Sequence, residues 1–241
     1  MDKLPLFVLP MVLLPGEVQE LRVFEPRYRQ MLDDCLLDGL NFGLVLNDEF
    51  HTVNDWDGPR HYGCEAEIIH HETKGSNHFL QIIGRRRFTI KNVFEPALPP
   101  FDHPMLEPLV NPEGVDPDLQ SIIEFIPEEV GHSKLYISAE VDYINPHSES
   151  TTEQQKHLLS LVEAVLNRIG GLLNIDSEML FDWVNSSPII ETIDDDPNSV
   201  YSVASLLVDD LESRQLILES PDIDSAINEL TLMFSSFGEE E

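Results

Sequence analysis

The hydrophobic period changes once along this chain, and that change limits the folds open to it. Over the first 95 residues the apolar side chains come in short runs or alternate with polar ones. From Ser150 onward they recur every three or four residues. A period of 2 belongs to strands and a period of 3.6 to helices. The β and α parts are therefore segregated along the chain, which is an α+β arrangement. It is read as an antiparallel β-barrel-like N-terminal domain with one amphipathic helix, followed by a C-terminal helical bundle. The boundaries are 1–148 for the β-rich domain and 149–241 for the helices.

Half-buried antiparallel strands are predicted over 4–9, 41–47, 63–70, 78–83 and 87–94, the last two separated by Gly84. Within 63–70, Cys64, Ala66 and Ile68 fall on one side and Glu65 and Glu67 on the other. Gly75-Ser76-Asn77 suits a hairpin turn. One helix interrupts the strands. Between Glu25 and Leu37, the residues Tyr28, Met31, Leu32, Cys35 and Leu36 form an amphipathic stripe. Pro26 suits the first turn of that helix and Gly39 its C-terminal cap. Arg27, Gln30, Asp33 and Asp34 are expected on the outside.

Residues 95–133 form a proline-dense excursion, with one short helix near Leu119–Phe125. A strand over 134–144 then returns to the sheet. In the second half, Ser150, Thr151 or Thr152 opens a helix with a capping box. Its stripe is Leu158, Val162, Val165 and Ile169, widened by Leu159, Leu161 and Leu166, and Gly170-Gly171 ends it. Further helices are expected from Asp176 to Trp183, after Pro197-Asn198-Ser199, over Leu211–Leu218 and from about Ser220-Pro221-Asp222. The tail Glu239-Glu240-Glu241 is expected to fray.

The charge narrows the function classes. Fourteen Lys+Arg stand against 45 Asp+Glu, a net of -31, and residues 96–241 hold four of the basic residues against thirty acidic ones. A nucleic-acid binder needs a basic surface, and anionic membranes repel an acidic one. Neither partner is expected. Two cysteines, no stretch of ~20 apolar residues and a proline-broken N-terminus fit a soluble, cytoplasmic chain.

Several motifs fall in a telling order. Leu4-Pro5-Leu6-Phe7 leads into Leu14-Pro15-Gly16, followed by Leu21, Phe24-Glu25, Arg27-Tyr28 and Met31-Leu32. Then come Phe42-Gly43-Leu44-Val45, Gly63-Cys64-Glu65-Ala66-Glu67-Ile68 and Gly84-Arg85-Arg86-Arg87-Phe88. Glu212-Ser213-Arg214-Gln215 and Leu218-Glu219 close the series. This pattern resembles the N-terminal, substrate-binding domain family of Lon protease over nearly the whole chain. It departs at Cys64, where the family has Thr, at Val8, where it has Pro, and in the long 95–133 segment.

The residues also have a plain physical reading. Pro15-Gly16 makes a tight turn with Gly16 at positive φ. Phe24 and Tyr28 anchor the helix. Arg27 and Arg87 can pair with Glu25 or Glu95. No GxxxxGK[ST] loop, GxSxG elbow or HExxH helix is present. The resemblance thus implies a non-catalytic module that binds an unfolded polypeptide or a specific protein partner, with no cofactor and no metal. Two alternatives stay open: an adaptor for a separate ATP-dependent protease, or a metal-dependent hydrolase built from His51, His61, His70, His71, His78 and Cys64. The Asp194-Asp195-Asp196 run is expected to be a solvated loop. Peptide contact is expected at a sheet edge or a domain-interface groove, around Phe7, Phe24, Tyr28, Arg85, Arg86 and Arg87.

Overall fold

The computed structural model describes residues 3–75, 77–109 and 118–236. Ser76 of the expected turn, Pro112 and Pro117 of the excursion and the tail Glu239–Glu241 lie outside the described residues. The chain divides into two compact units. One is 1–13 with 18–144, and the other is 14–17 with 145–241.

The first unit is a six-stranded sheet: β1 (Leu4–Leu9), β2 (Val18–Val23), β3 (Phe42–Val53), β4 (Trp56–Lys74), β5 (Asn77–Phe94) and β6 (Ser138–Tyr143). The strand order is β2-β5-β4-β3-β1-β6, and β5 also pairs with β6. That extra pairing closes the sheet into a ring. It is possible because β5 is long: Ile83 to His78 face β2, while Phe88 to Phe94 face β6.

Four features depart from the expected pattern. First, β2 is an additional strand; its sequence VQELRV does not alternate cleanly. Second, β1 runs parallel to β3, with Leu6 opposite Gly43. A parallel pair needs a crossover, and β2 with helix α1 (Pro26–Asp38) supplies it. Third, β5 runs unbroken through Gly84, which pairs with Ala66 of β4. Fourth, Glu65 is buried beside Cys64 and Ala66, where the β4–β5 register shifts.

Helix α1 follows its sequence closely. Tyr28, Met31, Leu32 and Cys35 are buried, Pro26 opens the helix, and Gly39 caps it in the left-handed region at φ 63. Two positions exchange places. Leu36 is exposed, whereas Gln30 is buried. Gln30 is tolerated there because its amide donates to the Ser133 carbonyl at 2.8 Å and accepts from the Leu135 N–H at 2.7 Å.

Phe88 seals the ring. It packs among Leu4, Leu6, Val8, Val45, Ile90, Ile137 and Ala139. A Cβ placed on Gly43 or on Gly63 would lie 2.6 Å from its ring. Both glycines are therefore the room that the phenylalanine occupies. The proline-rich excursion has its own small core of Leu98, Leu106, Ile122 and Leu135. It contains helix α2 (Leu119–Glu124), whose N-cap Asp118 accepts from the Ser121 N–H. The Trp56 indole donates to the Leu98 carbonyl at 3.0 Å and ties the excursion to the sheet.

The second unit is helical: α3 (Thr152–Leu172), α4 (Ser177–Asn185), α5 (Pro188–Glu191), α6 (Ser199–Leu207), α7 (Leu211–Glu219) and α8 (Ile223–Ser236). Thr151 and Gln154 form the capping box of α3. This helix runs through Gly170-Gly171 to Leu172 instead of stopping there. Gly170 packs directly under Leu180 of α4, whose methyl lies 2.1 Å from where a Cβ would stand. Gly16, at φ 80, belongs to this unit. Beside it, Glu17 accepts from the Leu14 N–H at 2.9 Å and from the Arg214 guanidinium of α7 at 2.6 Å. Both side chains are nearly buried. Arg214 also donates to the Val208 carbonyl at 3.1 Å. The Pro15-Gly16 turn and the Glu212–Gln215 motif, almost 200 residues apart, are thus halves of one contact.

Candidate functional site

Each unit offers its own surface. In the β unit, the six residues singled out from the sequence divide into buried and solvent-facing groups. Phe7 and Tyr28 are both buried, with ring centroids 4.1 Å apart. The Tyr28 hydroxyl donates to the Val8 carbonyl at 2.7 Å, and burial pushes its pKa well up. Arg87 is also buried. These three side chains belong to the packed interior of the β unit. Phe24 faces solvent, with the Arg22 guanidinium 6.0 Å from its ring.

Arg85 and Arg86 reach the surface but are engaged. Arg85 donates to Glu67 at 2.6 Å. Arg86 donates to both oxygens of Glu65, at 2.8 and 3.1 Å, and lies 3.7 Å over the Tyr143 ring. The Tyr143 hydroxyl donates to the same carboxylate at 3.0 Å. Burial would raise the Glu65 carboxyl, but the hydrogen bonds from Arg86 and Tyr143 outweigh it and hold the pKa down. Burial and the Glu65 charge push Tyr143 up to about 12. This is a satisfied network that pins β4 to β5 and β6. Arg27 pairs with Glu25 at 2.9 Å, as expected, and stacks 3.7 Å from Trp56.

The histidines disperse. His51 bonds Asp48 at 2.8 Å, and His71 meets His78 at 3.0 Å. Cys64 is buried, with its thiol 3.6 Å from the Glu65 carbonyl. Among the described residues, no three His, Cys, Asp or Glu side chains converge as metal ligands do. Asp194 accepts from the Asp196 N–H and the Ser199 hydroxyl, each at 2.9 Å, which orders the acidic loop before α6.

The helical unit carries an apolar groove. Helix α3 has two apolar stripes. Leu158, Val162, Leu166 and Gly170 are its buried stripe. Leu161, Val165, Ile169 and Leu172 form a second stripe that is not buried. With Leu206 and Leu207 of α6 and Phe234 of α8, that second stripe lines a groove of about 600 Å³. Leu172 is 75% exposed and Leu206 61%. Apart from backbone groups, Thr231 and Arg168 are the polar side chains along it. The expected stripe mixed residues of both faces, and the groove itself was not anticipated. Its signal is nevertheless in the sequence: α3 has more apolar positions between 158 and 172 than one buried face can use.

Similarities to known proteins agree with this architecture. Residues 3–235 match the family model described as the ATP-dependent protease La (LON) substrate-binding domain. A solved Lon N-terminal domain protein from Xanthomonas campestris aligns over 98% of both chains, with 23% identity and a TM-score of 0.54. The N-terminal domain of a Mycobacterium avium complex Lon protease aligns over 100% of both chains, with 16% identity and a TM-score of 0.55. No curated protein sequence matches this one. No helix among the described residues is long and apolar enough to cross a membrane. With a family match that spans almost all of its length, the chain belongs to the LON substrate-binding domain family.

Proposed function

We propose that this protein is a polypeptide-binding module that carries out no chemistry of its own. The observation behind this reading is the groove of the helical unit, where Ile169 and Leu172 of α3 and Leu206 of α6 are exposed and the rest of the apolar lining is half-buried. Contiguous apolar surface that the core does not use marks a binding site. The carboxylates of Glu65 and Glu17 and the hydroxyl of Tyr28 are committed to structural hydrogen bonds. The bound species is an unfolded segment or a protein partner. Both cysteines are buried and neither is in a disulfide, which suits a reducing compartment.

The test is a fluorescence-anisotropy titration of a labelled, permanently unfolded protein with the full chain, at low and high salt. Saturable binding that survives high salt is expected from an apolar groove. Absence of binding at high micromolar concentration would remove this reading. An adaptor role has one observation in its favour: residues 145–241 hold twenty acidic residues against three basic ones. Such a surface suits docking on a basic face of a separate protease.

A further inference from the structure

We propose that two copies of this chain join edge to edge through β2, antiparallel about a two-fold axis at Leu21. The surface involved is separate from the groove of the helical unit, and the pairing does not depend on what that groove binds.

The edge is open. β2 lies at one end of the strand order and pairs with β5 alone, whereas each of the other five strands has at least two partners. A strand bonded on one side presents a row of backbone N–H and C=O groups on the other. A second strand is the partner that fits such a row. Val18, Glu20 and Arg22 are exposed, and so is Phe24, one residue beyond the strand.

The order of these residues names the partner. Alternate residues of a strand share a face, and Phe24 continues the row, its ring 6.0 Å from the Arg22 guanidinium. Along that face the row reads apolar, acidic, basic, apolar. In an antiparallel pair centred on Leu21, Glu20 faces Arg22 of the second copy and Arg22 faces its Glu20. Val18 then faces Phe24 of the second copy, and Leu21 faces its own counterpart. Opposite charges and apolar pairs directly across a ladder are favourable, and like charges are not. Moving the axis to Glu20 or to Arg22 would set two like charges against each other, so the charges select one register. Within the chain these charges are unused. Arg22 donates to the neutral Asn77 side chain at 3.2 Å, and among the described residues no ion pair engages Glu20 or Arg22. The edge also lies in the less acidic part of the chain. Residues 1–95 hold ten Lys+Arg against fifteen Asp+Glu, so two copies repel less there than through residues 96–241. A two-fold contact uses the same patch on both copies, consumes both free edges and stops at the dimer.

The experiment is sedimentation velocity of the full chain from low to high micromolar concentration. The mass should grow from the 27.4 kDa of one chain to twice that value and no further. Glu20→Arg and Arg22→Glu each set like charges across the axis. Each should weaken association at least tenfold and leave the far-UV circular dichroism unchanged, because both side chains are exposed. A mixture of the two variants is the sharper test. It sets a strand with two arginines against one with two glutamates, so the two should associate with each other at least tenfold more tightly than either does with itself. Phe50→Gln, also in the β unit and 91% exposed, should change nothing. A chain that stays monomeric throughout overturns the proposal. So does association indifferent to both β2 variants, which would place the contact elsewhere, or a mixture no tighter than its components. If the chain stays monomeric and the β2 variants instead change its affinity for a labelled unfolded protein, the edge accepts an added substrate strand and the dimer is overturned.

Discussion

The β unit and the helical unit put their apolar residues to different uses. In the β unit three aromatic rings serve the core: Phe88 fills the room left by Gly43 and Gly63, and Phe7 and Tyr28 fix α1 to the sheet, while Phe24 and Phe50 stand exposed. In the helical unit α3 is apolar on two faces, and only one is covered. A ring of strands turns every second side chain inward. A helix can carry a second stripe without disturbing the first, and on α3 that stripe lines up along one groove.

The comparison breaks first at Phe88. Phe88→Ala removes a fully buried ring that two glycines have made space for. The expected loss is about 3–5 kcal/mol of stability. Each unit holds one tryptophan, Trp56 and Trp183. Denaturant unfolding read at Trp56 in a Trp183→Phe background measures the effect on the β unit. A loss below about 1 kcal/mol would show that the ring is not what seals the core.

The helical unit has its own pin, so it is not merely a loose carrier of surface. Arg214→Ala takes the guanidinium from the buried Glu17 carboxylate and from the Val208 carbonyl. The expected cost is about 3 kcal/mol, because a buried charge loses its partner. Replacing both, as Glu17→Gln with Arg214→Met, should recover much of it. Urea midpoints followed at Trp183 in a Trp56→Phe background decide the point. Equal losses in the single and double variants would mean that packing, not the ion pair, holds the turn to α7.

A smaller effect tests whether the expected peptide-binding tyrosine is only structural. Tyr28→Phe removes the hydrogen bond to Val8 and nothing else of size. Stability should fall by about 1 kcal/mol, and the affinity for unfolded polypeptide should stay the same. A change in affinity with unchanged stability would reverse the assignment of Tyr28 to the core.

How much of this could be read from the sequence depends on whether the signal is local. Helix α1 was legible to its caps, because a 3.6-residue stripe and Pro26 and Gly39 all lie within fifteen residues. The α3 capping box was legible for the same reason. The direction of β1 against β3 was not, since nothing in either strand encodes which way its neighbour runs. β2 was missed because its residue types do not follow its burial: Val18 is exposed, and the inward face mixes the polar Gln19 with Leu21 and Val23. Gly84 looked like a break, although inside a ladder a glycine can equally mark close packing. At the candidate site, family motifs drew attention to Phe7 and Tyr28, but an apolar residue in a motif looks the same whether it faces the core or a ligand. The groove needed α6 and α8 placed beside α3, and that is long-range information.

The smallest predicted effect lies in the β unit, at the β4–β5 hairpin. His78 is buried and meets His71 at 3.0 Å. Burial lowers its pKa; Asp33 of α1 opposes this, while the neighbouring His71 and Arg29 add to it. The unfolded chain takes up a proton on this histidine near pH 6.5, whereas the folded chain resists until lower pH. Between those values the unfolded state holds more protons, so stability falls as pH drops below about 6.5. His78→Gln should flatten that part of the stability profile, measured by urea unfolding between pH 7.5 and pH 5 at Trp56. The helical unit, whose carboxylates Asp194, Asp210 and Asp222 all have lowered pKa values through hydrogen bonds to nearby N–H and hydroxyl groups, should begin to lose stability only at more acid pH. A profile that weakens first at Trp183 would contradict this order and place the pH-sensitive contacts in the helical unit.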